Sequence, residues 1–525
     1  MSSTREPGAV RTADAAVTHE LTGLRARPLG SDYFLTRAVF LRALGFLYVV
    51  AFAILVKQVV PLIGARGLLP VSAFLPRVSE HFGGMPNAAF RHPTLFWLGA
   101  SDGSLLAGAW LGLLIGLCLC AGIANAPLLA LAWALYLSFC QVGQVFYGYG
   151  WDILLCEVGF LAIFLAPAWR LDPLAARDPP PLVVIVLYRW LAFRLMFGAG
   201  MIKLRGDSCW TELTCLDFHY ETQPNPGPLS AYFHFAPHFT HTLGVAFNHF
   251  AELVAPFGVF GPRRVRIAAG AVIVSFQTLL ILSGNLSFLN WLTLLVVLPC
   301  FDDGVFARLA GLRLRQRLLA LRSALVPPSR ARRILLVVLA VVIGLLSLNP
   351  AINLLSPRQA MNATFDPFGL VNTYGAFGSV GRVRNEVILE GTLDDASSEQ
   401  ARWLPYEFPC KPGDVRRSPC LVTPYHYRLD WQLWFAGLSN FQREPWIVRL
   451  AYLLLKGEPS IKPLLARDPF PERPPRFIRA RLYRYTFSAS RSVVWARELE
   501  GEYLLPLSLE HREFRRFLDA RGWLD

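Results

Sequence analysis

The sequence predicts an α-helical polytopic membrane bundle of about nine spans, followed by a mainly β domain on the non-cytoplasmic side of the membrane. The first observation is composition: of 525 residues, 54% are hydrophobic and only 17% are charged, whereas about a quarter are charged in soluble globular proteins. The second is a series of long apolar runs before Pro350. The third is the change after Pro350 to a sequence rich in arginine, proline and aromatic residues.

The apolar runs approach the roughly 20 residues that a helix needs to cross about 30 Å of hydrocarbon. They predict a transmembrane bundle over residues 38–301 and a last transmembrane helix over 334–349. The runs lie near residues 40–60, 104–124, 126–146, 151–168, 182–203, 241–260, 267–283, 286–300 and 334–348.

The distribution of arginine predicts the orientation, because positively charged loops stay in the cytoplasm. With nine spans, the N-terminal segment 1–37 and the basic loop 302–333 are cytoplasmic. The loops 61–103 and 204–239 and the domain 350–525 then lie outside, which is a secretory lumen in a eukaryote or the periplasm beside the inner membrane in a bacterium. Cytoplasmic loops and lipid phosphates account for the net charge of +14 without a nucleic-acid partner.

Two close cysteine pairs fall on the predicted outer side. These are Cys209 with Cys215 and Cys410 with Cys420. Because that side is oxidising, both pairs are predicted to form disulfides. Zinc binding is the alternative, although neither pair has the C-x-x-C spacing of structural zinc sites.

Alternating apolar and polar residues after Pro350 predict strands in "NEVILEGTL" and "RARLYRYTFS". Helices are expected around "LDWQLWFAGL" and "WIVRLAYLLLKG". The many tryptophans and tyrosines of this domain belong either to its core or to a binding face for protein.

Ionisable residues inside the predicted spans need partners, because each costs several kcal/mol in hydrocarbon when unpaired (about 2.5–3.5 on insertion scales). Arg194 lies near mid-membrane, and its candidate partners are Glu157 and Glu252. His241, Asn248 and Glu252 recur at i, i+7 and i+11 and form a polar stripe. Together these polar residues are predicted to form an intramembrane polar network. The network is either a structural set of ion pairs or a proton-handling or ligand site. Its predicted members are Glu157, Arg189, Arg194, His241, Asn248 and Glu252.

Lys203 stands at the outer end of its span, just before a polar stretch. There its ammonium group can extend to the lipid headgroups, or its amine can act as a base if it is held away from water. Five histidines crowd between residues 219 and 249, but Pro237 opposes a regular helix through them. No metal site is therefore predicted. No cofactor is predicted either, because the sequence contains no Walker A lysine loop and no convincing dinucleotide fingerprint.

Six blocks of the sequence resemble the signature blocks of the lipase maturation factor family, and the likeness runs from about Arg37 to the end of the chain. The blocks are "GDSCWTELTCLDFHYETQPNPGPLS", "NHFAELVAPF", "SGNLSFLNWLTLL", "VNTYGAFGSVGR", "YEFPCKPGDVRRSPCLVTPYHYRLDWQLWFAGL" and "YLLPLSLEH".

This resemblance implies a multi-pass protein of the endoplasmic reticulum membrane that acts in the folding and maturation of secreted lipases. Its action is then chaperone-like or part of the redox upkeep of the lumen. It implies lipase clients and membrane lipids as partners, together with folding or redox factors of the lumen. This interpretation favours a protein that is not an enzyme.

A shorter stretch, "AGMIKLRGDSCW", resembles the neighbourhood of a lysine in vitamin K-dependent γ-carboxylases and related multi-span domains. The alternative that it implies is a membrane-integrated enzyme with Lys203 as the base. His219, Glu221 and Glu252 are then the candidate helpers.

Overall fold

The bundle and its loops are almost entirely helical. The computed structural model describes residues 32–174, 178–309, 311, 316, 319–320, 325–490 and 493–524. Up to residue 355 its α-helices are α1 (Phe34–Ile63), α2 (Val71–His81), α3 (Met85–Arg91), α4 (Asp102–Ala121), α5 (Ala126–Val142), α6 (Gly150–Leu165), α7 (Leu182–Arg205), α8 (Ser208–Thr211), α9 (Leu216–Thr222), α10 (Ser230–His234), α11 (His238–His249), α12 (Ala255–Gly258), α13 (Arg263–Ser283), α14 (Leu289–Val297), α15 (Asp303–Leu309), α16 (Arg330–Leu346) and α17 (Leu348–Leu355).

Within the described residues, five helical segments are long and apolar enough to cross a membrane: α1, α4, α7, α13 and the run Arg330–Leu355 formed by α16 and α17. The chain is therefore a helical membrane protein. The other four apolar runs are also helical but shorter or interrupted. They correspond to α5 with 17 residues, α6 with 16, the segment from α11 to α12, and α14, which ends in a 3₁₀ turn at Leu298–Cys300.

Helices α1 and α4 pack closely because glycines line their contact. A Cβ on Gly45 of α1 would lie 2.5 Å from the backbone nitrogen of Cys120, and one on Gly116 of α4 would lie 2.8 Å from that of Val49. Small residues let helix backbones approach in this way inside membranes.

The C-terminal part contains an antiparallel four-stranded sheet of order β2-β1-β3-β4 together with helices. The predicted strands and helices of this part are confirmed. The last candidate membrane span, Arg330–Leu355, is longer than the predicted helix over 334–349. The elements are β1 (Arg384–Thr392), β2 (Leu404–Pro405), α18 (Arg428–Gly437), α19 (Trp446–Leu455), β3 (Phe477–Phe487), β4 (Trp495–Leu507) and α20 (Arg512–Asp519).

Strand β1 is buried along almost its whole length, because it lies inside the sheet and α18 packs on it. Its register with β3 runs from Arg384 opposite Tyr485 to Thr392 opposite Phe477. Strand β4 forms one edge and is mostly exposed. Its charged residues protect that edge from pairing with other chains.

The C-terminal part packs directly against the bundle. Arg428 at the start of α18 forms a bidentate ion pair with Asp152 of α6, at 2.8 and 2.9 Å, and both side chains are buried. Gln58 of α1 donates hydrogen bonds to the hydroxyl of Tyr425 at 3.0 Å and to the carbonyl of His426 at 2.9 Å. These contacts bring α18 beside the bundle, where it closes one wall of a large cavity.

Candidate functional site: a polar cluster at an apolar cavity

Lys203 and Glu252 form a buried ion pair. Lys203 is only 4% exposed, and its Nζ donates to both carboxylate oxygens of Glu252, at 2.6 and 2.7 Å. Asn248 donates from Nδ2 to the same carboxylate at 3.1 Å, and the ammonium group also lies over the ring of Trp210. The ammonium group therefore does not extend to the lipid headgroups.

A π-helical turn over Phe250–Val254 carries Glu252. Pro256 has no N–H to donate to the carbonyl of residue 252, so the regular α-helical hydrogen bonds are interrupted here. Such single π turns inside helices often occur at functional sites. The predicted stripe of His241, Asn248 and Glu252 is present, and all three side chains are buried and line the cavity.

Arg194 pairs with Glu157, one of its two candidate partners. The second carboxylate oxygen of Glu157 accepts from the backbone N–H of Asn372 at 3.0 Å and from the hydroxyl of Tyr374 at 2.7 Å. Arg194 also donates to the carbonyl of Asn372 at 2.5 Å. This cluster therefore ties the segment after α17 to the bundle.

Arg189 takes a different set of partners. It donates to the carbonyl of Pro299 at 3.0 and 3.1 Å and to the hydroxyl of Tyr33 at 2.6 Å. The six side chains predicted as one network are thus distributed over separate clusters.

His241 and His238 of α11 form a cluster with Asp217 of α9. Nδ1 of His241 lies 2.7 Å from Oδ1 of Asp217, and Nδ1 of His238 lies 3.0 Å from the same oxygen. Burial raises the pKa of the Asp217 carboxyl, but the hydrogen bonds with these two histidines outweigh it and hold the pKa below its usual range.

His219 of α9 lines the cavity and has no hydrogen-bond partner for its imidazole among the described residues. It packs edge-on against the ring of Phe377. Burial, with a smaller contribution from the charge of Lys203, lowers the pKa of His219 to about 4. At neutral pH its ring is uncharged, and one nitrogen donates while the other accepts.

Glu221 is not part of the Lys203 pair. Its carboxylate accepts the backbone N–H of Phe487 in β3 at 2.6 Å and lies 3.7 Å from Nε2 of His234. It therefore links the loop after α7 to the sheet.

The cavity has a volume of about 570 Å³ and lies between α7, the loop 204–239, α11, α13, α14 and the C-terminal part. A site of this size matches those that hold small molecules, about 300–1,000 Å³. Most of its wall is apolar, and its polar groups include Lys203, His219, Asn248 and Glu252. Its aromatic wall includes Trp151, Trp210, Phe247, Tyr374, Trp431 and Trp434.

Both predicted cysteine pairs lie at disulfide distance. The Cα atoms of Cys209 and Cys215 are 4.8 Å apart, and those of Cys410 and Cys420 are 5.5 Å apart. In the part of the chain that the structure describes, no three histidine, cysteine, aspartate or glutamate residues are grouped to hold a metal ion.

Asp430 of α18 fixes the backbone beside one of these pairs. Its carboxylate accepts from the backbone N–H of Cys410 at 2.6 Å and of Lys411 at 2.9 Å. Burial raises the pKa of Asp430 to about 6, although these hydrogen bonds act in the opposite direction.

The sequence analysis missed the residues that join the two parts, notably Asp152, Asn372 and Arg428. Asp152 at the start of an apolar run was a usable signal, because a carboxylate there needs a partner. Asn372 and Arg428 both lie within quoted signature blocks, but nothing in the sequence linked them to Glu157 and Asp152.

Comparison with known proteins gives two matches to family models. One, described as the lipase maturation factor transmembrane domain, matches residues 35–308, and the other, described as the lipase maturation factor C-terminal domain, matches residues 370–506. The chain belongs to the lipase maturation factor family. The family resemblance of the sequence blocks is thereby confirmed.

Individual members of the family match almost the whole chain. Lipase maturation factor 1 of Bos taurus is 46% identical over 530 residues, covering 96% of this chain and 94% of the relative. The Homo sapiens protein of that name is 45% identical over 515 residues, covering 94% and 90%. Lipase maturation factor 2 of Homo sapiens is 30% identical, covering 90% and 83%. No solved structure matches, and none of these comparisons favours the carboxylase-like alternative.

Proposed function

We propose that this protein is a membrane-embedded maturation factor that helps secreted lipases to fold and assemble into their active form. One observation carries the proposal: both the transmembrane and the C-terminal family models match, and relatives named lipase maturation factor align with more than nine-tenths of the chain. The activity is chaperone-like, and the clients are lipases.

The proposed topology has nine spans, with the N-terminus in the cytoplasm and the C-terminal part in the lumen of the endoplasmic reticulum, or in the periplasm if the source is bacterial. The arginine-rich segment 302–333 supports it through the charge rule for cytoplasmic loops. The two cysteine pairs support it as well, because both lie on the predicted oxidising side. We propose that both pairs are disulfide-bonded.

We assign no chemical step to Lys203. Its Nζ donates to both oxygens of Glu252, and a proton shared with a buried carboxylate is not free to leave without separating the pair. We propose instead that this pair and Asn248 fix the π turn and the packing of α7 against the segment that follows α11.

The test measures secreted lipase activity per milligram of lipase in cells that lack their own maturation factor. We expect the full-length protein to restore this activity, and the exposed substitution Ala107→Ser on α4 to leave it unchanged. A double variant, Lys203→Met with Glu252→Leu, removes the pair without leaving a lone charge. We expect it to restore activity at equal abundance.

Two outcomes contradict these proposals. If the full-length protein is present in the membrane and lipase activity stays at the level of empty cells, the role in lipase maturation is wrong for the lipase tested. If the double variant is abundant and stably folded but inactive, Lys203 or Glu252 takes part in a chemical step. A truncation after Pro350 is not informative, because it removes Arg428, the ion-pair partner of the buried Asp152, and also Asn372 and Tyr374, which hydrogen-bond to the buried Glu157.

A further inference from the structure

The exposure of residues that line the cavity indicates that it opens to the outer surface of the bundle between α11 and α13. Leu279 of α13 lines the cavity and is itself 45% exposed, and Gly244 of α11 lines it from the other side. The surface around this opening is apolar, with Leu243 and Leu282 exposed on the same two helices. Because α13 is a candidate membrane span, the opening faces the lipid.

An apolar chain can therefore enter the cavity from the bilayer without passing through water. The interior beyond the opening is lined by aromatic and aliphatic side chains, among them Trp210, Phe247 and Leu280. The volume of about 570 Å³ suits one acyl chain with a small headgroup, because sites of about 300–1,000 Å³ enclose ligands of that size.

The polar groups in the wall select the headgroup. The charges of Lys203 and Glu252 cancel each other, so a charged ligand finds no free counterion there. The imidazole of His219, which is 5% exposed and has no partner among the described side chains and backbone groups, offers one donor and one acceptor. A headgroup with two hydroxyl groups satisfies both, because one hydroxyl donates to the unprotonated ring nitrogen while the other accepts from the ring N–H.

We propose that this cavity binds a single-chain, uncharged amphiphile of the monoacylglycerol class, with its acyl chain against the aromatic wall and its hydroxyl-bearing headgroup at His219. The ligand enters laterally between α11 and α13. The site is independent of the proposed role in lipase maturation, because it follows from the shape, opening and charge balance of the cavity.

The test uses the full-length protein in lipid nanodiscs and a monoacylglycerol whose acyl chain carries two bromine atoms, which quench nearby tryptophans. Trp151, Trp210, Trp431 and Trp434 line the cavity and report occupancy. We expect saturable quenching at low mole fraction of the probe, and recovery of fluorescence when unbrominated monoacylglycerol competes. A brominated fatty acid, which is charged, is expected to bind at least tenfold more weakly.

Ala199→Phe on α7 fills the cavity, and Ala107→Phe on the exposed face of α4 is the matched control. We expect at least tenfold weaker binding for the first and unchanged binding for the second. Quenching that rises without saturation, or that unbrominated monoacylglycerol does not reverse, overturns the proposal and reports only the surrounding lipid. Equal binding by a folded Ala199→Phe variant overturns the location, and tighter binding of the fatty acid overturns the uncharged headgroup. The competition uses the unsubstituted protein, so it remains decisive if Ala199→Phe does not fold.

Discussion

Replacing Arg428 by methionine should strongly destabilise the contact between the C-terminal part and the bundle. The guanidinium group binds both oxygens of Asp152 at 2.8 and 2.9 Å, donates to the carbonyl of Phe146 at 2.6 Å and lies over the ring of Tyr147. Both charged side chains are fully buried. Without Arg428, Asp152 keeps only the hydroxyl of Tyr136 as a side-chain partner among the described residues.

The expected magnitude follows from burial. Removing one partner of a buried ion pair costs about 3–5 kcal/mol, because the remaining charge stays out of water without compensation. For a domain of about 150–250 residues, which is the size of the C-terminal part, each kcal/mol of destabilisation lowers the melting temperature by about 2–4 °C. We therefore expect the melting temperature to fall by about 6–20 °C.

The assay is thermal unfolding of the purified full-length protein in detergent, followed by tryptophan fluorescence. The matched control is Arg484→Met, which breaks the exposed pair of Arg484 with Glu500 on the sheet. Exposed pairs contribute about 0–1 kcal/mol, so its effect should be small. The double variant Arg428→Met with Asp152→Leu leaves no lone charge and should recover most of the loss. If Arg428→Met is no more destabilising than Arg484→Met, or if the double variant melts no higher than the single one, the reasoning is wrong.

Three further outcomes are expected. Lys203→Met should lower stability by about 3–5 kcal/mol, because Glu252 is left buried and charged, and adding Glu252→Leu should reverse most of this loss in the same melting assay. Asp430 has a folded-state pKa of about 6, above its unfolded value of about 3.9. Its contribution of about 3 kcal/mol is therefore complete below about pH 4 and is lost as the pH rises through about 6. The free energy of unfolding of Asp430→Asn minus that of the parent protein should be larger at pH 7.5 than at pH 4.5. An equal difference at both pH values refutes the assignment. Replacing Cys209 and Cys215 by serine should cost about 2–3 kcal/mol, because a short closed loop is released in the unfolded chain; peptide mapping under non-reducing conditions that finds two free thiols in the parent protein contradicts the disulfide.

Several parts of the fold were readable from local patterns. Apolar runs predicted helices because an uncharged run of that length is stable only as a helix in lipid. The alternation in "NEVILEGTL" and "RARLYRYTFS" predicted β1 and β3, because successive side chains of a strand face opposite sides of the sheet. The stripe of His241, Asn248 and Glu252 was found for the same kind of reason, since helical periodicity is a property of the sequence alone.

The partners of the buried charges were not readable in this way. Glu157 and Glu252 were both candidates for Arg194, and local spacing gave no means to choose between them. The choice depends on the arrangement of α6, α7 and the π turn, which places Glu252 against Lys203 and leaves Glu157 beside Arg194.

By itself, the sequence determined that this protein is a helical membrane protein of the lipase maturation factor family with a C-terminal sheet, because hydropathy, strand alternation and signature blocks are all local properties of the chain. Only the tertiary structure decided that Arg428 pairs with Asp152 and that α18 closes the wall of the cavity beside Lys203. The physical reason is distance along the chain. Residues that are 276 positions apart come together through the packing of whole elements, which no local pattern encodes.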